Sequence, residues 1–251
     1  MKNNTDFKHF LNDVEIKKRK DIYDLLIDNP IPSDQLLDNI GLFIDSKRLS
    51  RLLFLNHIYK KIIDLQGVIF DFGTRWGQNA AFFSSLRGIY EPYNRHRKII
   101  AFDTFSGFPK INKKDGSSNL MKKGNVATTQ DYEKYLEKIL NIHEDLNPLS
   151  HIRKFEIIKG DATKTLEKYL KNNPQTIVSL AYFDFDIYEP TKRCLDILLP
   201  RLTKGSVIGF DELNDADSPG ETIALMESMG LTTYSIKRYR YSTRVSYIVI
   251  E

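Results

Sequence analysis

Four carboxylates close two apolar runs of this chain. The segment Thr176–Asp186 (TIVSLAYFDFD) and the segment Ser206–Glu212 (SVIGFDE) each read as a buried strand, ending in Asp184 and Asp186 and in Asp211 and Glu212. In an open parallel sheet ligands sit beyond the carboxyl ends of the strands, so the four acids converge if the two strands are neighbours. Carboxylates held that close repel one another unless protons or a cation neutralise them. The pattern points to an acidic metal-binding or catalytic cluster; the plainer alternative is that each acid caps the helix that follows.

Three further strand ends carry small or acidic residues. Val68–Phe72 runs into Asp71-Phe-Gly73-Thr74-Arg75-Trp76-Gly77 and then into a helix. Glycines there let the backbone turn tightly and approach a ligand, and the helix start offers free N–H groups. The turn is neither a nicotinamide fingerprint, since G-x-G-x-x-G is absent, nor a P-loop, since no G-K-[ST] follows. Lys98–Phe102 leads into Asp103 in the segment IIAFDTFSGFP, where a carboxylate can accept both hydroxyls of a ribose. Phe155–Lys159 leads into Gly160-Asp161-Ala162, where a carboxylate could take the amino group of an adenine. Together these ends outline an adenosine pocket.

The elements that must position these residues alternate. From Gly67 onward strand-like runs are followed by helical ones at Gln78–Leu86, Thr165–Leu170, Thr191–Leu199 and Glu221–Met229, which predicts an α/β protein with a parallel sheet and helices on both faces. Thr232–Lys237 and Arg244–Ile250 alternate with no helix between them and read as a terminal hairpin, bringing the sheet to seven strands with an antiparallel last strand. Thr104–Lys154 is too long for an ordinary connection. Its helix near Tyr132–Leu140 follows a piece rich in Lys and Gly, Lys110–Gly124, with few apolar anchors, so a mobile lid over the site is expected at about residues 107–130. Residues 1–65 read as a helical extension broken by the NPIP turn at Asn29–Pro32, with Ser33 and Ser46 as N-caps and Lys47–Leu65 packed on the main domain of residues 66–251.

At this point the residues carry a resemblance. The order D-x-G-x-x-x-G, FDTFSGFP, GDA, YFDFDIYEPT, the helix end Leu199-Pro200-Arg201-Leu202 before Gly205, FDE and Pro219-Gly220 resembles a class I S-adenosylmethionine-dependent methyltransferase of Rossmann-like fold. More narrowly it is similar to the macrocin O-methyltransferase family of metal-dependent sugar O-methyltransferases. The resemblance implies that Asp71, Gly73, Thr74 and Gly77 form the turn for the methionine end of S-adenosylmethionine. It places Asp103, Thr104 and Phe105 at the ribose and Asp161 and Ala162 at the adenine, with Asp184 bordering the cofactor. It further implies that Asp184, Asp211 and Glu212 are ligands of Mg²⁺ or a similar cation and that Asp186 is the general base. Glu212 stands where the family usually has Asp, and Arg75-Trp76 reverses its usual aromatic-then-basic order. Hard oxygen donors in threes suit Mg²⁺, and a metal on adjacent sugar hydroxyls would orient them and lower their pKa.

The implied activity is methyl transfer to a sugar hydroxyl, on a nucleotide-linked sugar, a surface glycan or a glycosylated natural product. A catechol-type small-molecule O-methyltransferase and a non-catalytic S-adenosylmethionine-binding module are the alternatives. A nucleic-acid methyltransferase is disfavoured, because the net charge of +4 on 37 basic and 33 acidic residues is mild and no N-P-P-Y-type segment follows the fourth strand. The opening MKNNTDFKHFLND has no apolar stretch behind its charges, and no run of 18 apolar residues occurs, so neither secretion nor a membrane span is expected. The single Cys194 fits a buried thiol in a reducing, cytoplasmic setting. Lys17–Lys20 (KKRK) reads as a solvated helix face, His143 and His151 as surface or core residues, and Tyr239-Arg240-Tyr241 as a turn surface. The lid lysines Lys110, Lys113, Lys114, Lys122 and Lys123 either face solvent or hold a phosphate on the substrate, and the N-terminal helices are the expected surface for a homo-oligomer.

Overall fold

Val68–Phe72 (β1), Ile99–Asp103 (β2), Phe155–Lys159 (β3), Val178–Phe183 (β4) and Leu202–Phe210 (β5) are apolar runs, most of them covered on both faces, as strands inside a parallel sheet must be. The computed structural model describes residues 12–251. Residues 1–11, the start of the expected extension and most of the opening segment, lie outside the described residues. The strands form one seven-stranded sheet in the order β3-β2-β1-β4-β5-β7-β6, where β6 is Lys237–Arg238 and β7 is Ser246–Val249. β1 to β5 are mutually parallel, and β7 is antiparallel to both neighbours. β1 and β4 are central, and β4 pairs with β5, so Asp184 and Asp211 do lie on adjacent strand ends.

Helices cover both faces. Ser46–Tyr59 (α2, following Asp13–Ile27, α1), Gln78–Tyr90 (α3) and Tyr132–Asp145 (α4) bury Phe54, Ile58, Phe83 and Leu136 in one core layer. Ala162–Asn172 (α5), Tyr188–Leu198 (α6) and Gly220–Met229 (α7) bury Leu166, Cys194, Leu195 and Leu225 in the other, among Phe70, Phe72, Phe102 and Phe183. Phe72 sits at the centre of these rings, with centroids 5.1 Å from Phe102 and 4.8 Å from Phe183.

Four local expectations are corrected. Asp45, not Ser46, caps α2, accepting the Arg48 N–H at 2.7 Å, because Asp45 holds the extended backbone before the first turn and its carboxylate reaches the free N–H three residues on, whereas Ser46 is already helical. Ser33 caps no helix: residues 33–39 form turns leading to a 3-10 helix at Ile40–Phe43, and α2 ends at Tyr59, with turns rather than helix up to Leu65. The first strand of the hairpin shortens to two residues, since as the sheet edge it pairs with β7 alone.

The insertion has more apolar anchors than its composition suggests. Gly107 at φ 78° folds the chain back on itself, where a Cβ would lie 2.6 Å from the Gly124 carbonyl oxygen. Phe108 and Met121 are thereby buried against Ile187, with Ile111 and Leu120 beside them. Asp115 binds the segment to α6, accepting the Tyr188 N–H at 2.6 Å. A count of Lys, Gly and Ser hid these anchors because they are spread over the segment and meet only after the turn.

Two buried arginines fasten the helical layer. Arg87 on α3 pairs with Glu144 on α4, which also receives Lys154 at 2.6 Å. Arg97, 0% exposed, donates to both oxygens of Glu91 at 2.9 and 3.0 Å and to the carbonyls of Ile62, Leu65 and Gly67 at 2.6–2.7 Å. It therefore ties the chain leaving α2 to the start of β1. Replacing Arg97 by Ala strands Glu91 and three carbonyls in the interior, and a loss of about 3–5 kcal/mol is expected in chemical denaturation; a loss under 1 kcal/mol would contradict this account.

Candidate active site

The glycine turn after β1 is built from beneath by Asp71. Its Oδ2 accepts the Thr74 hydroxyl at 2.7 Å and its Oδ1 accepts Asn79 Nδ2 at 3.2 Å, so a fully buried carboxylate fixes the loop and the first turn of α3. Burial pushes the Asp71 carboxyl up to about 6, against the pull of those two hydrogen bonds. Gly73, Arg75 and Gly77 have φ of 79°, 48° and 79°. At Gly73 a side chain is excluded twice, by φ and because a Cβ would overlap the Asp184 carbonyl oxygen.

Asp103 answers this turn from β2. Its two oxygens accept the backbone N–H groups of Arg75 and Phe105 at 2.7 and 2.6 Å, which leaves further lone pairs on both oxygens. Burial raises its pKa while those two donors hold it down. Asp161 caps α5, accepting Thr163 N–H at 3.0 Å and the Thr163 hydroxyl at 2.7 Å.

Beyond β4 and β5 the acids meet arginines. The guanidinium of Arg51, on α2, donates to Asp184 Oδ2 at 2.7 Å and to Asp211 Oδ1, and lies 5.7 Å from the centre of the Tyr182 ring. Tyr182 donates its hydroxyl to the same Asp211 oxygen at 2.8 Å. Burial works to raise the Asp211 carboxyl, yet Arg51, Arg244 and Tyr182 together hold it below the usual range. Burial and the neighbouring Asp211 charge raise Asp184. Glu212 turns to Arg244, and its other oxygen, Oε2, is buried without a partner.

Asp186 follows in a left-handed backbone conformation, φ 60°. Its N–H and that of Phe185 donate to Glu221 Oε1 at 3.3 and 2.9 Å. Burial, then Asp211, pushes Asp186 up to about 7, against Arg244, Arg75 and Arg51. Glu221 is 0% exposed, and burial followed by the charges of Asp186, Asp184 and Asp211 raises its pKa well above the usual carboxylate value.

One cleft of about 270 Å³ is lined by Gly73, Thr74, Asp103, Thr104, Asp161 and Ala162 and equally by Asp184, Asp186, Asp211 and Glu212. The adenosine-type strand ends and the acid cluster thus share a cavity. Three expected residues stand back from it: Asp71 lies under the turn, Gly77 starts α3 against the Leu136 side chain, and Phe105 is buried in the core. Among the described residues no three carboxylate, histidine or cysteine side chains are arranged to share one metal ion; Arg51 pairs with Asp184 and Asp211, and Arg244 with Glu212. The lid lysines line no part of the cleft; Lys114 donates to Tyr188 at 3.1 Å and pairs with Glu227 at 2.5 Å. Sequence reasoning passed over Arg51, Glu221 and Arg244. Glu221 directly follows Pro219-Gly220 and could have been found there, whereas an arginine on a distant helix carries no local signal.

A sheet of order 3-2-1-4-5-7-6 with a glycine turn after β1 and a ribose-type acid after β2 defines a class I methyltransferase fold. Over 95% of this chain and 93% of the other, the protein superposes on CalS11, a calicheamicin methyltransferase, with TM-score 0.93 and 37% identity. Apo CalS11, described as a TDP-rhamnose 3'-O-methyltransferase of calicheamicin biosynthesis, matches with TM-score 0.84 and 35% identity over 95% of each chain. The O-methyltransferase NovP, 14% identical, shares the fold over 80% of this chain and 79% of that one, with TM-score 0.58. No protein-family model and no curated protein matches the chain. The chain belongs to the class I S-adenosylmethionine-dependent O-methyltransferases. No helix among the described residues is long and apolar enough to cross a membrane.

Asp71 gives a test of the turn. Its folded-state pKa of about 6 exceeds the unfolded value near 3.9, so the folded protein binds the proton more tightly and stability falls as pH rises between those values. Relative to Asp71→Asn, which cannot titrate, the wild type should lose about 2 kcal/mol from pH 4 to pH 7 in urea denaturation; a difference that does not change with pH would place the carboxylate in water.

Proposed function

We propose that the protein transfers the methyl group of S-adenosylmethionine to a hydroxyl of a sugar, with Asp186 as general base. The observation that carries this reading is the common cleft, in which the turn at Gly73 and the acids at Asp184–Asp186 face one cavity. The sugar as acceptor is supported by the likeness to CalS11, described as a TDP-rhamnose 3'-O-methyltransferase.

In this reading the backbone at Gly73 and Thr74 takes the methionine end of the cofactor. Asp103 accepts the ribose hydroxyls on its remaining lone pairs, and Asp161 and Ala162 border the adenine. The acceptor oxygen attacks the methyl carbon in line as the carbon–sulfur bond breaks, the sulfonium leaves as the neutral thioether of S-adenosylhomocysteine, and the hydroxyl proton passes to Asp186. An alcohol is too weak an acid to react unaided, so the base must stand in hydrogen-bond reach of that oxygen. Glu221 positions it by holding the backbone of the left-handed Asp186.

Asp184, Asp211 and Glu212 offer the hard oxygen donors that Mg²⁺ takes, and the unpartnered Oε2 of Glu212 fits a cation. Such an ion would hold adjacent sugar hydroxyls and lower their pKa. Arg51 already brings positive charge to Asp184 and Asp211, so the guanidinium must give way for the ion to bind.

Asp186→Asn should lower methyl transfer from radiolabelled S-adenosylmethionine to a sugar acceptor by about 10²–10⁴-fold, while calorimetric affinity for S-adenosylhomocysteine stays within about twofold of wild type. A fully active Asp186→Asn enzyme would remove the base. Excess EDTA should abolish turnover and Mg²⁺ should restore it; full activity in EDTA would remove the metal and leave Arg51 as the cation of the acid cluster.

A further inference from the structure

Of the three acids that offer oxygens to a cation, Arg51 holds two at once. Its guanidinium donates to Asp184 Oδ2 at 2.7 Å and to Asp211 Oδ1, from a helix that belongs to neither strand. A guanidinium does not lose its proton in a protein, so its charge leaves the acids only if the side chain moves. The way out is open. The Arg51 side chain is 29% exposed and lines the cleft, while α2 is fixed one turn further on by the buried Phe54 and Leu55. It can therefore swing away from the strand ends with its helix in place. Arg244 differs, since it meets Glu212 alone. These two residues form the wall between the cleft and a second cavity of about 940 Å³, bounded by α1, the first turn of α2, the insertion and the loop after β5. Glu212 Oε2 stays without a partner there, so the third acid keeps a donor open while the other two are engaged by Arg51.

We infer that Arg51 is a built-in competitor for the metal ion. It neutralises Asp184 and Asp211 in the unloaded enzyme, where carboxylates on adjacent strand ends would otherwise repel, and it is expelled from them when the ion binds. Metal affinity is thereby set by the difference between two cations on the same oxygens. The opposite role, a guanidinium that holds the acids in the arrangement the ion needs, predicts the reverse effect of removing the side chain. The inference rests on the reading of Asp184, Asp211 and Glu212 as metal ligands and adds to it the residue that opposes the ion.

Binding of Mn²⁺ to the whole chain, followed by the electron spin resonance of the free ion with neither S-adenosylmethionine nor acceptor present, tests it. Arg51→Met should bind Mn²⁺ about 10–100-fold more tightly than wild type, the size of a charge-assisted contact removed from the competitor. Arg51→Lys keeps the charge but loses the fork that spans two carboxylates, so a smaller gain is expected. Arg48→Met removes a positive charge one turn away, where it pairs with Asp45, and should stay within about twofold of wild type. In EDTA, Arg51→Met should melt below wild type, and Mg²⁺ should raise its melting temperature by more than it raises that of wild type. Should Arg51→Met fail to fold in EDTA, recovery of its fold in Mg²⁺ would support the same conclusion. Mn²⁺ binding by Arg51→Met and Arg51→Lys no tighter than wild type, or an equal gain in Arg48→Met, would overturn the competitor while leaving the metal reading intact. If wild type and variants all bind S-adenosylhomocysteine but none binds Mn²⁺, the metal reading falls and the inference falls with it.

Discussion

Everything at the active end of the sheet depends on neutralising carboxyl groups that the fold forces together. Asp184, Asp186, Asp211, Glu212 and Glu221 crowd the ends of β4 and β5, and few of them face bulk water. Like charges at such spacing cannot all ionise in a poorly solvated site. Arg51 resolves part of the conflict by bridging Asp184 and Asp211, and Arg244 meets Glu212. Glu221 meets it differently: burial and the charges of Asp186, Asp184 and Asp211 raise its carboxyl well above the usual value. Truncating Arg51 would therefore release repulsion at the strand ends as well as one ion pair.

That arginine also explains why the N-terminal helix α2 belongs to the working enzyme. α2 is held near its start by Arg51 at the carboxyl ends of the strands, and the chain leaving it is held by Arg97 at their amino ends. Between the two, Phe54, Leu55, Ile58 and Tyr59 are buried. The helix thus spans the sheet from end to end along one core layer. α1, by contrast, buries no residue and leaves Val14, Tyr23, Leu25 and Ile27 exposed.

Much of this was legible in the sequence, for definite physical reasons. Buried parallel strands leave continuous apolar runs, and acids placed where such a run stops stand out, so Asp103, Asp184, Asp186 and Asp211 could be assigned to one cleft before any coordinates. What escaped were relations across long separations. The pairing of Arg51 with residues 133 and 160 positions away has no local pattern. The anchors of the insertion, Phe108 and Met121, meet only because Gly107 reverses the chain. Asp71 was placed at the cofactor turn, yet it supports that turn from below, a distinction that only burial and hydrogen-bond partners reveal.

The contact between Gly73 and the Asp184 carbonyl has a consequence for how such a protein diversifies. Because the two backbones touch, the cofactor turn and the acid-bearing strand form one rigid unit, and the distance from methyl donor to acceptor is inherited with the sheet. The walls of the second cavity come from other material: an exposed N-terminal helix, an inserted segment, a loop and a terminal hairpin. Changes there leave the contact between the turn and the acid-bearing strand untouched. In this architecture the reacting geometry is locked by a missing side chain, while the material around it is free to drift.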